Sequence, residues 1–205
     1  MRKIHSATLV FTLSVISAAA FADKNLTVEI LVGQSAQDYS SDWEHYRDDF
    51  AVHRGDDDSS SNATSFGLRF GYQFNPNFAI EFSHMDYGDD AASNNLGLKA
   101  ILPVNDKLSL NTRLGISSWH VGGDRARFGN NNADGRDPYL SFGAEYALRE
   151  NIFIGLEYTL VDMSWDSETM NEFTYLDNGD SSRSVYHADN EVQVENISMS
   201  VGFRF

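Results

Sequence analysis

Residues 64–74, Thr64-Ser65-Phe66-Gly67-Leu68-Arg69-Phe70-Gly71-Tyr72-Gln73-Phe74, alternate strictly between large apolar side chains and small or polar ones. A β-strand points successive side chains to opposite faces, so one face of this segment is apolar and aromatic while the other is polar. Asn75-Pro76-Asn77 then marks a turn, and the alternation resumes from Phe78. The stretch predicts a β-hairpin that is apolar on one face only.

The same alternation recurs along the chain until eight strand-length segments are found. They begin at Leu26, Thr64, Phe78, Asn95, Leu108, Leu140, Ile152 and about Val192. Tight turns are predicted near residues 76, 106 and 150, and longer connections at about 40–63, 87–93, 120–137 and 162–191. Short and long connections therefore alternate, as they do in a barrel whose strands run up and down through a membrane.

These segments predict an all-β fold, an eight-stranded antiparallel up-and-down transmembrane β-barrel with short periplasmic turns and long extracellular loops. Strands of about 10 residues match the tilted thickness of a bilayer. Closure into a barrel pairs every backbone N–H and C=O group, which an open sheet in lipid cannot do. A soluble β-sandwich is the alternative, but it does not separate its loops into a short end and a long end.

The first 22 residues have the pattern of a signal peptide. Arg2 and Lys3 precede the apolar run from Ala7 to Ala20, and Ala20-Phe21-Ala22 offers a small-x-small cleavage site. The run is too short to span a bilayer as a stop-transfer helix, and a buried N-terminal helix is the alternative. We expect a signal peptide at residues 1–22 and an outer membrane barrel domain at residues 23–205.

Composition excludes several function classes. The chain has 15 basic and 30 acidic residues, and removal of the signal peptide leaves 13 basic residues, for a net charge of about −17. Nucleic acid binding depends on clustered basic residues and is not expected. The absence of cysteine excludes disulfides, catalytic thiols and cysteine-based metal sites. The sequence predicts no cofactor.

The face opposite the apolar one carries glycines and eight long charged residues. The glycines at 67, 71, 97, 115, 143, 155 and 202 are expected to make room for the charged side chains beside them. Buried charges must be paired, so we predict an ion-pair network in the barrel lumen. Its predicted members are Glu29, Arg69, Glu81, Lys99, Arg113, Glu145, Glu157 and Arg204. Such a network either plugs and stiffens the barrel or gates a narrow pore, and the small size of an eight-stranded barrel favours the plug.

Aromatic residues on the apolar face are expected to form girdles at the two membrane interfaces. The predicted periplasmic girdle consists of Tyr72, Phe74, Phe78, Tyr146, Phe203 and Phe205. The predicted opposite girdle consists of Phe66, Tyr87, Trp119 and Tyr158.

The sequence resembles the OmpA-like porin family of transmembrane barrels. The resemblance is carried by residues 66–74, by the turn 75–77 with the following Phe78-Ala79-Ile80-Glu81, and by the ending Val201-Gly202-Phe203-Arg204-Phe205. It implies a location in the cell outer membrane. It also implies that Val201, Phe203 and Phe205 form a C-terminal signal for the barrel-assembly machinery. Larger members carry a periplasmic peptidoglycan-binding domain, which this sequence does not include, so anchoring to the cell wall is not expected.

The two largest predicted loops are acidic. Residues 40–63 carry seven carboxylates against Arg47 and Arg54, and residues 162–191 carry eight against Arg183. Asp56-Asp57-Asp58 offers oxygen ligands for calcium but lacks the spacing of an EF-hand loop, and a solvated charge run is favoured. In the third long connection the charges balance, at Asp124, Arg125, Arg127, Asp134, Arg136 and Asp137. Arg125 and Arg127 there are candidates to meet lipopolysaccharide phosphates, and pairing between loops is the alternative.

An enzyme of the outer membrane is the remaining class to weigh. Some small outer membrane barrels trim lipid A, and a lipid A deacylase of this kind resembles a serine hydrolase whose serine and histidine lie two residues apart on a lipid-facing strand. Ser118 and His120 have that spacing and, by parity, that face. The neighbouring outward positions, Leu140, Phe142 and Ala144, are expected to supply no acid to orient the histidine. His84 and Asp86 share a face but have no placed nucleophile, and His45, His53 and His187 stand alone in loops.

We therefore expect a non-enzymatic outer membrane protein with a structural, envelope-integrity role and an adhesion-type surface role through its acidic loops. The alternatives are a narrow passive pore for small solutes and, less favoured, a lipid A-modifying hydrolase. The expected partners are outer membrane lipid, lipopolysaccharide and the barrel-assembly machinery, together with an unidentified extracellular ligand. No metal site is predicted.

Overall fold

A computed structural model of the chain describes residues 25–47, 50–122, 133–174 and 181–205. The predicted signal peptide lies outside these residues, as do Asp48, Asp49, Asp124, Arg125 and Arg127 from the predicted loops. The possible contact of Arg125 and Arg127 with lipopolysaccharide therefore stays a prediction.

The described chain forms eight strands in sequence order. They are β1 (Leu26–Arg47), β2 (Phe50–Asn75), β3 (Phe78–Gly88), β4 (Ala91–Pro103), β5 (Leu108–Val121), β6 (Ala133–Arg149), β7 (Ile152–Thr174) and β8 (Ser181–Arg204). Each strand pairs antiparallel with the next, and β8 pairs with β1. The sheet closes into a barrel, which confirms the predicted fold. Among the described residues, no helix is long and apolar enough to cross a membrane.

The strands are staggered by ten residues around the barrel. A path along paired residues runs from Leu26 through Tyr72, Ile80, Leu98, Leu114, Leu140, Leu160 and Glu195, and returns to β1 at Ala36. Eight strands with a stagger of this kind tilt by roughly 35–45° to the barrel axis. A row of paired residues therefore climbs along the axis as it passes from β1 towards β8.

Side chains alternate between the two faces of the sheet as the sequence predicts. The large apolar residues of the predicted lipid face are exposed, for example Met199 at 66% and Leu114 at 63%. Their inward neighbours are buried, for example Glu29 at 1% and Arg113 at 2%. An exposed apolar band of this extent is typical of a surface that a membrane or another protein covers.

The predicted upper girdle is wrong at two positions, because Tyr87 and Trp119 face into the barrel with exposures of 0% and 2%. Phe78 on β3 and Leu108 on β5 begin the outward sets, and Tyr87 and Trp119 follow them by an odd number of positions. Strict alternation therefore turns Tyr87 and Trp119 inward. Phe66 keeps its predicted outward place, and Tyr158 shares the outward face with Leu156.

Three of the predicted long loops are also wrong in extent. The connection predicted at 87–93 is a two-residue turn at Asp89 and Asp90, which adopt φ angles of 49° and 64°. Aspartate tolerates this left-handed conformation, which the hairpin turns of paired strands require at both central positions. The predicted loops 40–63 and 162–191 are instead mostly strand, because β1, β2, β7 and β8 continue far past the barrel rim.

These four long strands form a sheet of their own beyond the rim. Pairing between β2 and β3 ends at Phe66 and Asp86, and pairing between β6 and β7 ends at Tyr139 and Val161. The strands β7, β8, β1 and β2 remain paired with one another further out. We call this extension the outer sheet, defined as residues 40–47, 50–63, 162–174 and 181–191.

Candidate functional site

The lumen nearer the short turns holds an ionic network to which every strand contributes one residue. The eight members, in strand order, are Glu29, Arg69, Glu81, Lys99, Arg113, Glu145, Glu157 and Arg204. The structure thus brings together all eight charged residues singled out from the sequence. Four are acidic and four basic, so the network is neutral as a whole.

Arg113 is the centre of this network. Its guanidinium nitrogens lie 2.5 Å from Glu81 and Glu157, 3.3 Å from Glu145 and 3.9 Å from Glu29. One side chain on β5 therefore contacts carboxylates from four other strands. Since an unpaired buried charge is costly, each of these contacts constrains the position of a different strand.

The remaining cations complete the network around Arg113. Arg69 forms a two-pronged pair with Glu157, at 2.6 and 3.0 Å, and lies 3.4 Å from Glu29 and 3.7 Å from Glu81. Lys99 bridges Glu81, at 3.2 Å, and Glu145. These three cations are buried, as are all four glutamates.

Arg204 is the exception in exposure, because 30% of its side chain is accessible. It lies 3.3 Å from Glu145 and places its guanidinium 4.8 Å from the centre of the Phe153 ring. Arg204 therefore closes the network at the turn end of the lumen.

Glycines make room for this network, since each of the four glutamates lies directly opposite at least one. Glu29 pairs with Gly202, Glu81 with Gly71 and Gly97, Glu145 with Gly155, and Glu157 with Gly143. Some of the same space is filled by rings as well: a methyl group added at Gly202 would overlap Phe153, and one at Gly97 would overlap Tyr139. The predicted role of the glycines therefore extends to aromatic packing.

A second, apolar layer, which was not predicted from the sequence, fills the lumen nearer the long hairpins. Its buried aromatic members are Tyr39, Tyr87, Trp119 and Tyr139, with Met85, Met163, Val161, Val192, Val194 and Leu31 among its aliphatic ones. Trp165 packs against this cluster, with its ring 5.9 Å from Trp119 and 6.3 Å from Tyr39. Strict alternation from Phe78 and Leu108 was the signal that could have found Tyr87 and Trp119.

The outward face of the outer sheet carries a row of aspartates. Asp166 pairs with Asp189, Asp189 with Asp42, and Asp42 with Asp56, so four exposed carboxylates lie side by side on adjacent strands. Like charges directly opposite each other destabilise a sheet by up to about 1 kcal/mol per pair. The sequence alone showed only that these segments are acidic; the pairing concentrates the charge on one face.

The neighbouring row is partly neutralised. Arg54 lies 2.8 Å from Glu44, and Tyr46 donates a hydrogen bond to the same carboxylate. That hydrogen bond raises the pKa of the Tyr46 phenol. The outer sheet therefore holds its charge through the aspartate row rather than through Glu44.

The calcium interpretation of Asp56-Asp57-Asp58 is not supported by the geometry. All three residues lie within strand β2, where Asp57 shares its face with Gly55 and Ser59 while Asp56 and Asp58 point to the other face. Three successive carboxylates in a strand cannot converge on one ion. Among the described residues, no group of three or more histidine, aspartate or glutamate side chains is placed to hold a metal ion.

Comparison with known proteins places this arrangement in a family. The model of the outer membrane protein beta-barrel domain family matches residues 8–205. The chain belongs to this family. Its barrel is therefore an outer membrane barrel, and the apolar band faces lipid.

Two curated relatives are similar in sequence to this family member. Outer membrane protein A of Yersinia pseudotuberculosis is 29% identical over 145 residues, which cover 62% of this chain and 41% of that protein. Outer membrane protein A of Escherichia coli O157:H7 is 28% identical over 149 residues, which cover 67% and 42% respectively. The chain thus spans about two fifths of the length of these relatives.

The solved structure of the outer membrane protein OprG from Pseudomonas aeruginosa resembles this barrel in fold. Its TM-score is 0.52 at 15% sequence identity, and the alignment covers 87% of this chain and 96% of OprG. At this identity the likeness supports the architecture alone.

On the outward face of this outer membrane barrel, the neighbours of Ser118 and His120 differ from those predicted. Both are exposed, as predicted, but their neighbours on β6 are Arg136 and Asp134 rather than Leu140, Phe142 or Ala144. His120 Nδ1 lies 3.9 Å from Asp134 Oδ1, so the strand register does place an acid beside the histidine. The separation exceeds hydrogen-bond range, which leaves the ring without the orienting bond of a catalytic triad.

The other histidines fall into two environments. His45 is buried in the outer sheet, where its ring stacks on Tyr186 at 4.1 Å and its Nε2 lies 2.6 Å from Ser184 Oγ. His187 is half exposed and lies 3.5 Å from Glu168. His45 and His53 stack at 6.2 Å, so the expectation that these histidines stand alone is wrong.

Proposed function

We propose that the protein is a non-enzymatic envelope protein, a plugged barrel that stiffens the outer membrane and meets its surroundings through the acidic outer sheet. The observation that carries the proposal is the ionic network, in which Arg113 contacts carboxylates from four other strands. Cross-links of this kind support rigidity, and the apolar layer packed beyond them supports a lumen closed to solutes.

Planar-bilayer recording tests the plug against the alternative of a narrow pore. The native protein is expected to give no steady conductance steps. Arg113→Ala removes the centre of the network, and the apolar layer is expected to keep this variant silent as well. Steady steps from the native protein, altered by Arg113→Ala, would establish the pore and overturn the plug.

The surface role rests on the row of Asp166, Asp189, Asp42 and Asp56. A sheet face with concentrated negative charge suits a positively charged surface or partner. We expect cells that display the native protein to adhere to polylysine-coated glass more than cells that display the Asp42→Asn, Asp56→Asn, Asp189→Asn triple variant. The Asp86→Asn variant is a matched control outside the outer sheet, and equal adherence of all three strains would remove the surface role.

A lipid A-modifying hydrolase is the second candidate, because His120 lies beside both Ser118 and Asp134. Mass spectrometry of lipid A from cells that overproduce the native protein tests it, with His120→Ala as the control. Lipid A of unchanged mass in the native strain supports the non-enzymatic role. A mass loss that His120→Ala abolishes would overturn it.

A further inference from the structure

A slanted row of polar side chains crosses the outward face of β3 to β6 at the edge of the apolar band. His84 lies opposite Asn94, Asn94 opposite Ser118, and Ser118 opposite Arg136, and all four are exposed. We call these four residues the polar row. The row directly beneath it consists of Phe82, Leu96, Ile116 and Pro138, which belong to the apolar surface.

The polar row passes from the level of the acyl chains to the level of the headgroups. Paired rows climb from β1 towards β8, because the circuit that starts at Leu26 returns at Ala36, ten residues nearer the long hairpins. His84 therefore lies deepest and Arg136 furthest out. A lipid standing beside β3 to β6 would place its chains on the apolar row and its headgroup beside Ser118 and Arg136.

The chemistry of the polar row suits an anion. It contains no carboxylate, and within the described part of the chain Arg136 forms no ion pair. His84 Nδ1 and Asn94 Oδ1 lie 3.0 Å apart, which leaves the Asn94 amide NH₂ free to donate outward, as the Ser118 hydroxyl can. A guanidinium can donate two parallel hydrogen bonds to a phosphate, and hydroxyl and amide groups nearby can donate to its remaining oxygens.

Among the described residues, the carboxylates near the polar row do not pair with Arg136. Of the two aspartates in the next row outward, Asp86 accepts a hydrogen bond from the Gly88 N–H at 2.8 Å, and Asp134 faces His120. Asp162 faces outward on β7, the strand next to β6, and Glu195 and Asp38 face outward near the rim on β8 and β1. Among the described outward residues of β3 to β6 near this rim, Arg136 is the arginine or lysine that an anionic headgroup can meet.

We propose that the polar row binds the phosphate-bearing headgroup of a glycolipid in the outer leaflet. Arg136 pairs with the phosphate, Ser118 and Asn94 donate hydrogen bonds to it, and the acyl chains cover Phe82, Leu96 and Ile116. The inference deepens the proposed envelope role and rests on it only for the extracellular orientation of this rim. It does not depend on the lumen being plugged.

Native mass spectrometry of the full-length processed protein in detergent tests the site. The probe is diphosphorylated lipid A, titrated against the native protein, and its dephosphorylated form is titrated in parallel. Arg136→Glu is expected to weaken binding of the phosphorylated lipid about tenfold, as loss of a charged hydrogen-bonded pair implies. Ser118→Ala is expected to weaken it less, and the dephosphorylated lipid is expected to bind native protein and Arg136→Glu alike.

The matched control is Arg54→Glu, an exposed arginine of the outer sheet that already pairs with Glu44. It is expected to bind the phosphorylated lipid as the native protein does. Heat-modifiable gel mobility verifies that each variant is folded, and if Arg136→Glu does not fold, Arg136→Gln and Asn94→Ala take its place. Equal affinity of native and Arg136 variants for the phosphorylated lipid would overturn the site. Since conductance and adherence are measured separately, failure of this site and failure of the proposed function are distinguishable.

Discussion

Arg113 is the residue on which the lumen depends most, because its guanidinium touches Glu29, Glu81, Glu145 and Glu157. Arg113→Ala would leave these buried carboxylates with a deficit of positive charge. Removing one partner from a buried ionic group costs about 3–5 kcal/mol, and we expect a decrease of this size in the free energy of unfolding. Urea titration of the protein folded in lipid vesicles measures it.

Arg54 provides the single-residue control for the stability effect of Arg113→Ala. Its pair with Glu44 is largely exposed, since 70% of the Arg54 side chain is accessible. Exposed pairs contribute about 0–1 kcal/mol, so Arg54→Ala is expected to leave the urea midpoint almost unchanged. If Arg113→Ala and Arg54→Ala shift the midpoint equally, the network does not stabilise the barrel.

The outer sheet is an element that the barrel beneath it does not require. Pairing of β2 with β3 begins at Phe66, and the ionic network lies nearer the turns, so neither involves the hairpin of β1 and β2. Replacing residues 42–56 by Asn-Gly, which favours a tight hairpin turn, is expected to leave a folded barrel. Heat-modifiable gel mobility of the outer membrane fraction reports the result.

A change of register within the barrel has the opposite expected effect. One alanine inserted after Val32 would turn the rest of β1 over and expose its lumen face to lipid. No fast-migrating unboiled band is expected from this variant. A shortened hairpin that abolished the band, or an insertion that kept it, would show that the two parts of β1 had been assigned the wrong roles.

The whole molecule is a ring closed by β8 against β1, and Val201 and Phe203 on β8, with Phe205 just after it, are exposed on the outside of the barrel. We propose that the barrel-assembly machinery recognises these three residues. Phe205→Ala removes part of this signal without removing a lumen contact. It is therefore expected to lower the amount of folded protein in cells several-fold. Quantification of the unboiled fast-migrating band in outer membranes measures this amount.

Refolding of purified Phe205→Ala from urea into lipid vesicles separates assembly from stability. The variant is expected to refold as completely as the native protein, because the strand pairs of β8 are unchanged. A refolding yield that falls in parallel with the cellular level would instead assign Phe205 a role in the stability of the barrel.

The sequence by itself determined the number of strands, the three tight turns near residues 76, 106 and 150, and the face to which most spanning residues point. These follow from alternation, a local property of an extended backbone that the side chains of Phe66 to Phe74 display directly. It also singled out the eight charged residues of the lumen. The predicted faces of Tyr87 and Trp119 were wrong although the same alternation extends to both residues, and the long strands beyond the rim were predicted as loops.

Only the tertiary structure decided which residues meet. The ten-residue stagger brings one charge from each strand to Arg113 and its neighbours, places Asp134 beside His120, and lines up Asp166, Asp189, Asp42 and Asp56. Stagger and closure depend on pairing between segments far apart in the chain, and a strand's own pattern is compatible with several registers. Alternation therefore assigns each residue to a face, whereas the register determines its partner.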